Sequence, residues 1–247
     1  MHKRKWHQLI RKSHRYLGLF LGIQFFLWTL GGLYFSWTNI EQIRGEDIKK
    51  ADAPLWIDTQ TTNISSVLKT IQQKETIQYI KSIQVVQIFD SSYYQIVFYN
   101  GQAIQTKLAN TQSGQIRNAL TQQEAISLAQ SKLIHPAAAE KIEYLTVVDA
   151  HHEYREKPLP AYAITFKGNI ETTVYVASEN GTVQSFRNTR WRIFDFLWML
   201  HTMDYKGRDN MNNLILRTFS ILGLITIISG FLLYFISYKK NLPKRKT

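Results

Sequence analysis

Seven histidines, His2, His7, His14, His135, His151, His152 and His201, are the side chains here best suited to ligating a metal or moving a proton. A neutral imidazole binds transition metals, and its titration lies near physiological pH. The chain has no cysteine, which removes disulfides, thiolate metal sites and a cysteine nucleophile. His151-His152-Glu153 gathers three potential ligands. Adjacent residues of an extended chain point apart, however, and no second ligand group stands nearby, so no metal is expected there. His152-Glu153 opens like a zinc-protease helix but lacks its second histidine. The sequence has neither a serine nucleophile elbow nor a phosphate loop. His14 and His201 remain, each leading into a long apolar run.

Those runs are Tyr16–Trp37, whose clearly polar members are Gln24, Thr29 and Ser36, and Thr218–Tyr238. About 20 apolar residues rising 1.5 Å each cross a hydrocarbon core of roughly 30 Å. A helix satisfies its own backbone there. Both ends of the chain are therefore expected to be anchored in a bilayer. Residues 1–15 hold six Lys and Arg and no acid, and residues 239–247 hold five and no acid, together eleven of the net charge of +12. The middle is nearly neutral, which argues against a nucleic-acid partner. Basic flanks stay cytoplasmic and touch anionic headgroups, so the middle is expected outside the cytoplasm. The first run is too long for a signal peptide and ends without a small-x-small site; Tyr34 and Trp37 suit an interfacial belt.

This topology places His14 at the cytoplasmic mouth of the first span and His201 on the outer face, separated by about a membrane thickness. His201, with Asp204 and Arg208 nearby, is expected to end a helix and hydrogen-bond into a polar cluster. Gly18-x-x-x-Gly22, Gly31-Gly32 and Thr226-x-x-x-Gly230 let helices approach closely, through pairing of the two spans or through a homodimer or membrane partner. Gln24 and Thr29 could hydrogen-bond across such a contact.

Between the spans the order helix, three strands, turn occurs twice. The first pass is a helix at 64–74, strands at 83–89, 93–99 and 103–108, and a turn at 110–114. Asn100-Gly101 suggests a type I′ hairpin. The second pass opens on the capping box Thr121-Gln-Gln-Glu124. Its helix runs to about Ile134, before Pro136, and strands follow at 142–150, 161–167 and 171–177. The turn Asn180-Gly181 leads into 183–187. The shared order indicates an internal duplication. After it, Trp191, Phe194, Trp198 and Thr202 or Tyr205 share a helical face that suits a bilayer surface or the membrane end of a folded domain. The expected fold is α+β, with two transmembrane helices (16–37 and 214–238) flanking tandem modules (38–118 and 119–190). Each module has a helix and an antiparallel sheet. An interfacial helix and loop (191–213) and basic tails (1–15 and 239–247) complete the chain.

The chain resembles the PepSY-associated transmembrane proteins of bacteria. The resemblance rests on Lys12-Ser-His14-Arg-Tyr-Leu-Gly18 entering the first span. It rests also on Leu200-His201-Thr-Met-Asp204-Tyr-Lys-Gly207-Arg208-Asp209-Asn210, followed by a span carrying Ser229-Gly230. Ser113-Gly114-Gln115-Ile116 and Asn180-Gly181-Thr182-Val183 resemble the turn that ends a PepSY domain. The resemblance implies the inner membrane, an extracytoplasmic central domain and a place beside iron-siderophore uptake. Larger family members, with four spans, look like haem-containing reductases; this sequence has two spans and no flavin or dinucleotide domain. It is read as an accessory or partner-binding module in envelope iron uptake or redox work, more a binding protein than an enzyme. The alternatives are a haem-bearing electron-transfer subunit reducing ferric siderophores and a peptidase regulator. The resemblance makes haem the one candidate cofactor, with His14 and His201 as candidate ligands. Their separation means that a bis-histidine haem needs a second chain.

Overall fold

In the computed structural model the described residues are 2–51, 54, 60–168 and 170–240. Their elements, in order, are α1 (His2–Trp37), α2 (Ile40–Arg44), α3 (Ile64–Gln72), β1 (Tyr79–Ile88), β2 (Ser91–Asn100), β3 (Ala103–Asn110) and β4 (Ile116–Arg117). Then come α4 (Gln122–Ser131), β5 (Ala139–Leu145), β6 (Ala161–Phe166), β7 (Thr172–Ala177), β8 (Thr182–Asn188), α5 (Thr189–Thr202) and α6 (Leu214–Lys240). The chain divides into a central unit, Asn39–Arg192, and a unit made by the two terminal segments, up to Thr38 and from Ile193.

In the terminal unit α1 and α6 pack antiparallel. Phe20 meets Phe219 at 5.5 Å between ring centroids, and His14 meets Ser229. Gln8–Trp37 and Leu214–Ile236 are long and apolar enough to cross a membrane. Leu19, Ile23, Phe26, Ile221, Phe231 and Phe235 face outward, as side chains bathed in lipid do. Leu21, Gln24 and Thr226 are buried between neighbouring helices. The pairing is staggered. Ser229 lies level with His14, so the middle of α6 stands opposite the N-terminal part of α1, about 16 Å from the middle of Tyr16–Trp37. The helix begins at His2, so residues 2–15 are continuous with α1. Residues 241–247 of the expected second tail lie outside the described residues.

The central unit holds the duplicated order. α3 leads into an antiparallel sheet β1-β2-β3-β4, and α4 into an antiparallel sheet β5-β6-β7-β8. Val67 and Ile71, at helical spacing on α3, bury against Ile96, Phe98 and Ala109. On α4, Ala125, Leu128 and Ala129 bury against Ile164, Val174, Val176 and Phe186. Ile88 and Leu108 of the first sheet join this second cluster, so the two sheets share one core. The capping box forms: the Glu124 N–H donates to Thr121 Oγ1 at 3.3 Å, and Thr121 N–H donates to Glu124 Oε2 at 2.8 Å.

Several elements differ from expectation. α4 stops at Ser131, three residues short of Ile134, because the chain there turns to bridge Lys49 with Leu133. β5 covers 139–145, not 142–150, and β1 starts four residues earlier than expected. The hairpin after β2 is not type I′. Asn100 pairs with Ala103 as the last strand residue, and Gly101 alone takes positive φ (+64°), the pattern of a type II′ turn. β4 and α2 were not anticipated. α2 opens at Asn39, whose Oδ1 accepts from Glu41 N–H at 2.8 Å. It closes at Gly45, with φ +76°.

Candidate functional site

His14 points from α1 into the α6 interface. Its Nδ1 lies 2.7 Å from Ser229 Oγ, and a Cβ at Gly230 would come within 3.2 Å of its ring. Glycine at 230 is therefore what lets the imidazole seat against α6. His14 lies within Gln8–Trp37, the stretch of α1 long and apolar enough to cross a membrane. Of the other small residues, Thr226 is buried and hydrogen-bonds to Leu222 O at 2.9 Å. A Cβ at Gly31 would meet Phe35 of its own helix, while one at Gly18, Gly22 or Gly32 would meet nothing within 4 Å. The contact of α1 with α6 includes His14 on Ser229, Phe20 on Phe219 and Phe25 beside Gly223, and is not a close approach at Gly18 or Gly22. Gln24 does bond across helices, donating from Nε2 to Leu200 O at 2.9 Å on α5; Thr29 bonds within its own helix.

His201 ends up in an aromatic cage. Its ring centroid stands 5.4 Å from Trp28 and 6.1 Å from each of Phe35 and Trp198. Its Nδ1 is buried without a hydrogen-bond partner. This corrects the expectation of a histidine hydrogen-bonded to the neighbouring polar cluster, whose members are otherwise engaged. Asp204 wraps its carboxylate in the following loop, accepting from Asn210 N–H at 2.9 Å, Gly207 N–H at 3.2 Å and Lys206 N–H at 3.3 Å. The Asn210 amide, with those of Gly207 and Lys206, outweighs burial and holds this carboxyl below its ordinary range. Arg208, at φ +71°, turns back to pair with the buried Asp195. Asn213 then caps α6, its Oδ1 accepting from Leu216 N–H at 2.8 Å. The block from Leu200 to Asn210 is thus the corner that turns the chain from α5 into α6.

Along α1, His14 is fourteen to twenty-one residues from Trp28 and Phe35, the neighbours of His201, or roughly 20–30 Å by helix rise. No single iron reaches both. One imidazole is engaged with Ser229 and the other is enclosed by three rings, so within one chain these residues do not fit a bis-histidine haem. Among the described residues no three His, Asp or Glu side chains gather as a metal site, and His152 Nδ1 accepts from Tyr154 N–H at 3.0 Å.

In the central unit, Glu153 anchors a polar network beside the second sheet. Arg192 grips it with two bonds of 2.8 and 3.0 Å, and Tyr175 donates its hydroxyl at 2.7 Å. Burial opposes the charge on Glu153, but the bonds from Arg192 and Tyr175 and the nearby guanidinium charges prevail and lower its pKa. Burial, then the Glu153 carboxylate, raises the Tyr175 pKa.

The same unit contains a groove of about 1020 Å³ between β1 and β8. Arg44, Lys49, Lys50, Lys132, Lys157 and Arg187 line it, against two acids, Glu46 and Asp90. Trp191 forms part of its wall and lies under the Arg187 guanidinium, 4.0 Å from ring centroid to Cζ. Sequence reading missed this groove, because its cations are scattered through a nearly neutral stretch and only the topology gathers them.

The family model of the PepSY-associated TM region matches residues 1–237. No curated protein and no solved structure matches the chain. The match takes in both apolar helices and both sheets between them, and the chain belongs to the PepSY-associated transmembrane family.

Proposed function

We propose that this protein is a membrane-anchored accessory module of the bacterial inner membrane, whose central unit lies outside the cytoplasm and binds a partner in envelope iron uptake or redox work. In this reading 38–118 and 119–190 are two modules of one kind, and 191–213 lie at the outer interface. The observation that carries it is the repeated helix-plus-sheet order, which leaves two edge strands, β1 and β8, beside a single groove. A folded body with open sheet edges is equipped to bind another chain. Membrane attachment follows from the family and the two apolar helices, and orientation from the eleven terminal cations.

The test is a reporter inserted near residue 120. Alkaline phosphatase activity there is the expected result; a fluorescent cytosolic reporter at that position overturns the orientation. The electron-carrier alternative draws on the family resemblance and needs two chains to share a haem. A Soret band in the purified protein, lost in His14→Ala or His201→Ala, would establish it, and a colourless folded preparation removes it.

A further inference from the structure

We propose that the groove between β1 and β8 receives an extended acidic segment of a partner protein, added edge-on to β8. The proposal deepens the partner-binding reading above and rests on it. Among the described residues β8 pairs only with β7, and β1 only with β2. Residues Gly181 to Arg187 all line the groove in an unbroken run. Side chains of a strand alternate between faces, so a consecutive run means that the strand presents its backbone edge. Such an edge offers free N–H and C=O groups to an added strand.

The far end of β8 is already occupied. Asn188 Nδ2 donates to Gln42 O at 3.1 Å, and a Cβ at Gly45 would lie 3.1 Å from Phe186 Cβ, so α2 covers that end. The open stretch is about 182–185, enough for a segment of roughly four or five residues at 3.3 Å each. Charge selects its chemistry. Six cations face two acids, and Arg44, Lys50 and Lys157 form no ion pair among the described residues. An acidic strand would neutralise them, whereas a basic one would meet like charge. Trp191 and Phe89 add apolar wall for alternate side chains.

The test uses the full chain in lipid nanodiscs and two fluorescent ten-residue peptides, one alternating Glu and Val, the other Lys and Val. Fluorescence polarisation is expected to show binding of the acidic peptide alone. The combined variant Arg44→Glu, Lys50→Glu and Lys157→Glu should weaken it about tenfold or more, with a smaller loss in the matching Gln variant. Equal binding of both peptides, or no effect of the Gln and Glu variants in correctly folded protein, overturns the proposal. An acidic peptide N-methylated on alternate residues leaves the protein untouched; if it binds as tightly, edge addition is wrong. Displacement of the peptide by phosphatidylglycerol vesicles would reassign the groove to anionic headgroups. If the reporter near residue 120 is cytosolic while the peptide still binds, the accessory reading fails and the groove stands. If the reporter behaves as expected and the peptide does not bind, only the groove assignment falls.

Discussion

Gly181→Ala should loosen both sheets at once. Gly181 sits at φ +67° in the turn before β8, and a Cβ there would overlap Ile88 Cδ1 and lie 2.8 Å from Leu108 Cδ1. Ile88 ends β1 and Leu108 lies on β3, yet both belong to the cluster that packs against α4. Two costs therefore combine. A left-handed backbone on an L-residue costs about 1–2 kcal/mol. Forcing a methyl into a filled core costs about 1–3 kcal/mol more. Gly101→Ala separates them, because Gly101 shares the positive φ (+64°) but a Cβ there meets nothing within 4 Å. The expected loss is about 1–2 kcal/mol at 101 and about 2–5 kcal/mol at 181. At about 1.4 kcal/mol per tenfold, opening around 181 rises by at least about thirtyfold. Hydrogen exchange of the full chain in detergent reads this directly, with faster exchange expected in β1 and β3 as well as in β7 and β8. If Gly181→Ala matches Gly101→Ala, or if faster exchange stays within 178–182, the shared core is wrong.

Glu153→Gln should cost about 1.5–3 kcal/mol at neutral pH, since Arg192 keeps its place but loses a charged acceptor. The folded pKa of Glu153 lies below the unfolded one, so its contribution is complete above the unfolded value, about 4.3, and disappears as pH falls through the folded value. The gap in Tm between wild type and Glu153→Gln should therefore close in acid; a gap that stays constant to about pH 3 contradicts the assignment. Asp195→Ala leaves Arg208 without its buried partner and should cost about 3 kcal/mol, with part recovered in the double variant Asp195→Ala, Arg208→Met. Limited proteolysis between 203 and 213 reports it, and equal cleavage in the single and double variants would refute the coupling. Thr121→Ala removes the cap of α4 and should lower stability by about 1 kcal/mol in denaturant titration.

The features legible in the sequence were those set by local chemistry. The capping box at Thr121 and Glu124, the two apolar helices and the doubled order of helix and strands each depend on a short stretch of residues. Features set by pairing at long range were not. β4 has two residues, held by Leu108 and Ala109 across the turn, too short to leave a periodic signal. The stagger of α1 against α6 is set by where His14 meets Ser229, which hydropathy does not encode. His201 was expected among Asp204 and Arg208 from proximity along the chain. Asp204 is engaged by the loop itself and Arg208 by Asp195, which leaves the imidazole to the rings of α1 and α5. The groove needed all three of α2, α4 and β8 in place before its cations became neighbours.

The arrangement of α1 imposes a schedule on biosynthesis. Everything that satisfies its buried polar groups comes from the last quarter of the chain: Leu200 O for Gln24 and Ser229 for His14. At ribosomal speeds of roughly 5–20 residues per second, α1 waits about 10–40 s for those partners. Throughout that interval the Gln24 amide stands within an apolar helix without the carbonyl that later receives it, so the finished pairing of α1 exists only once the whole chain has been made.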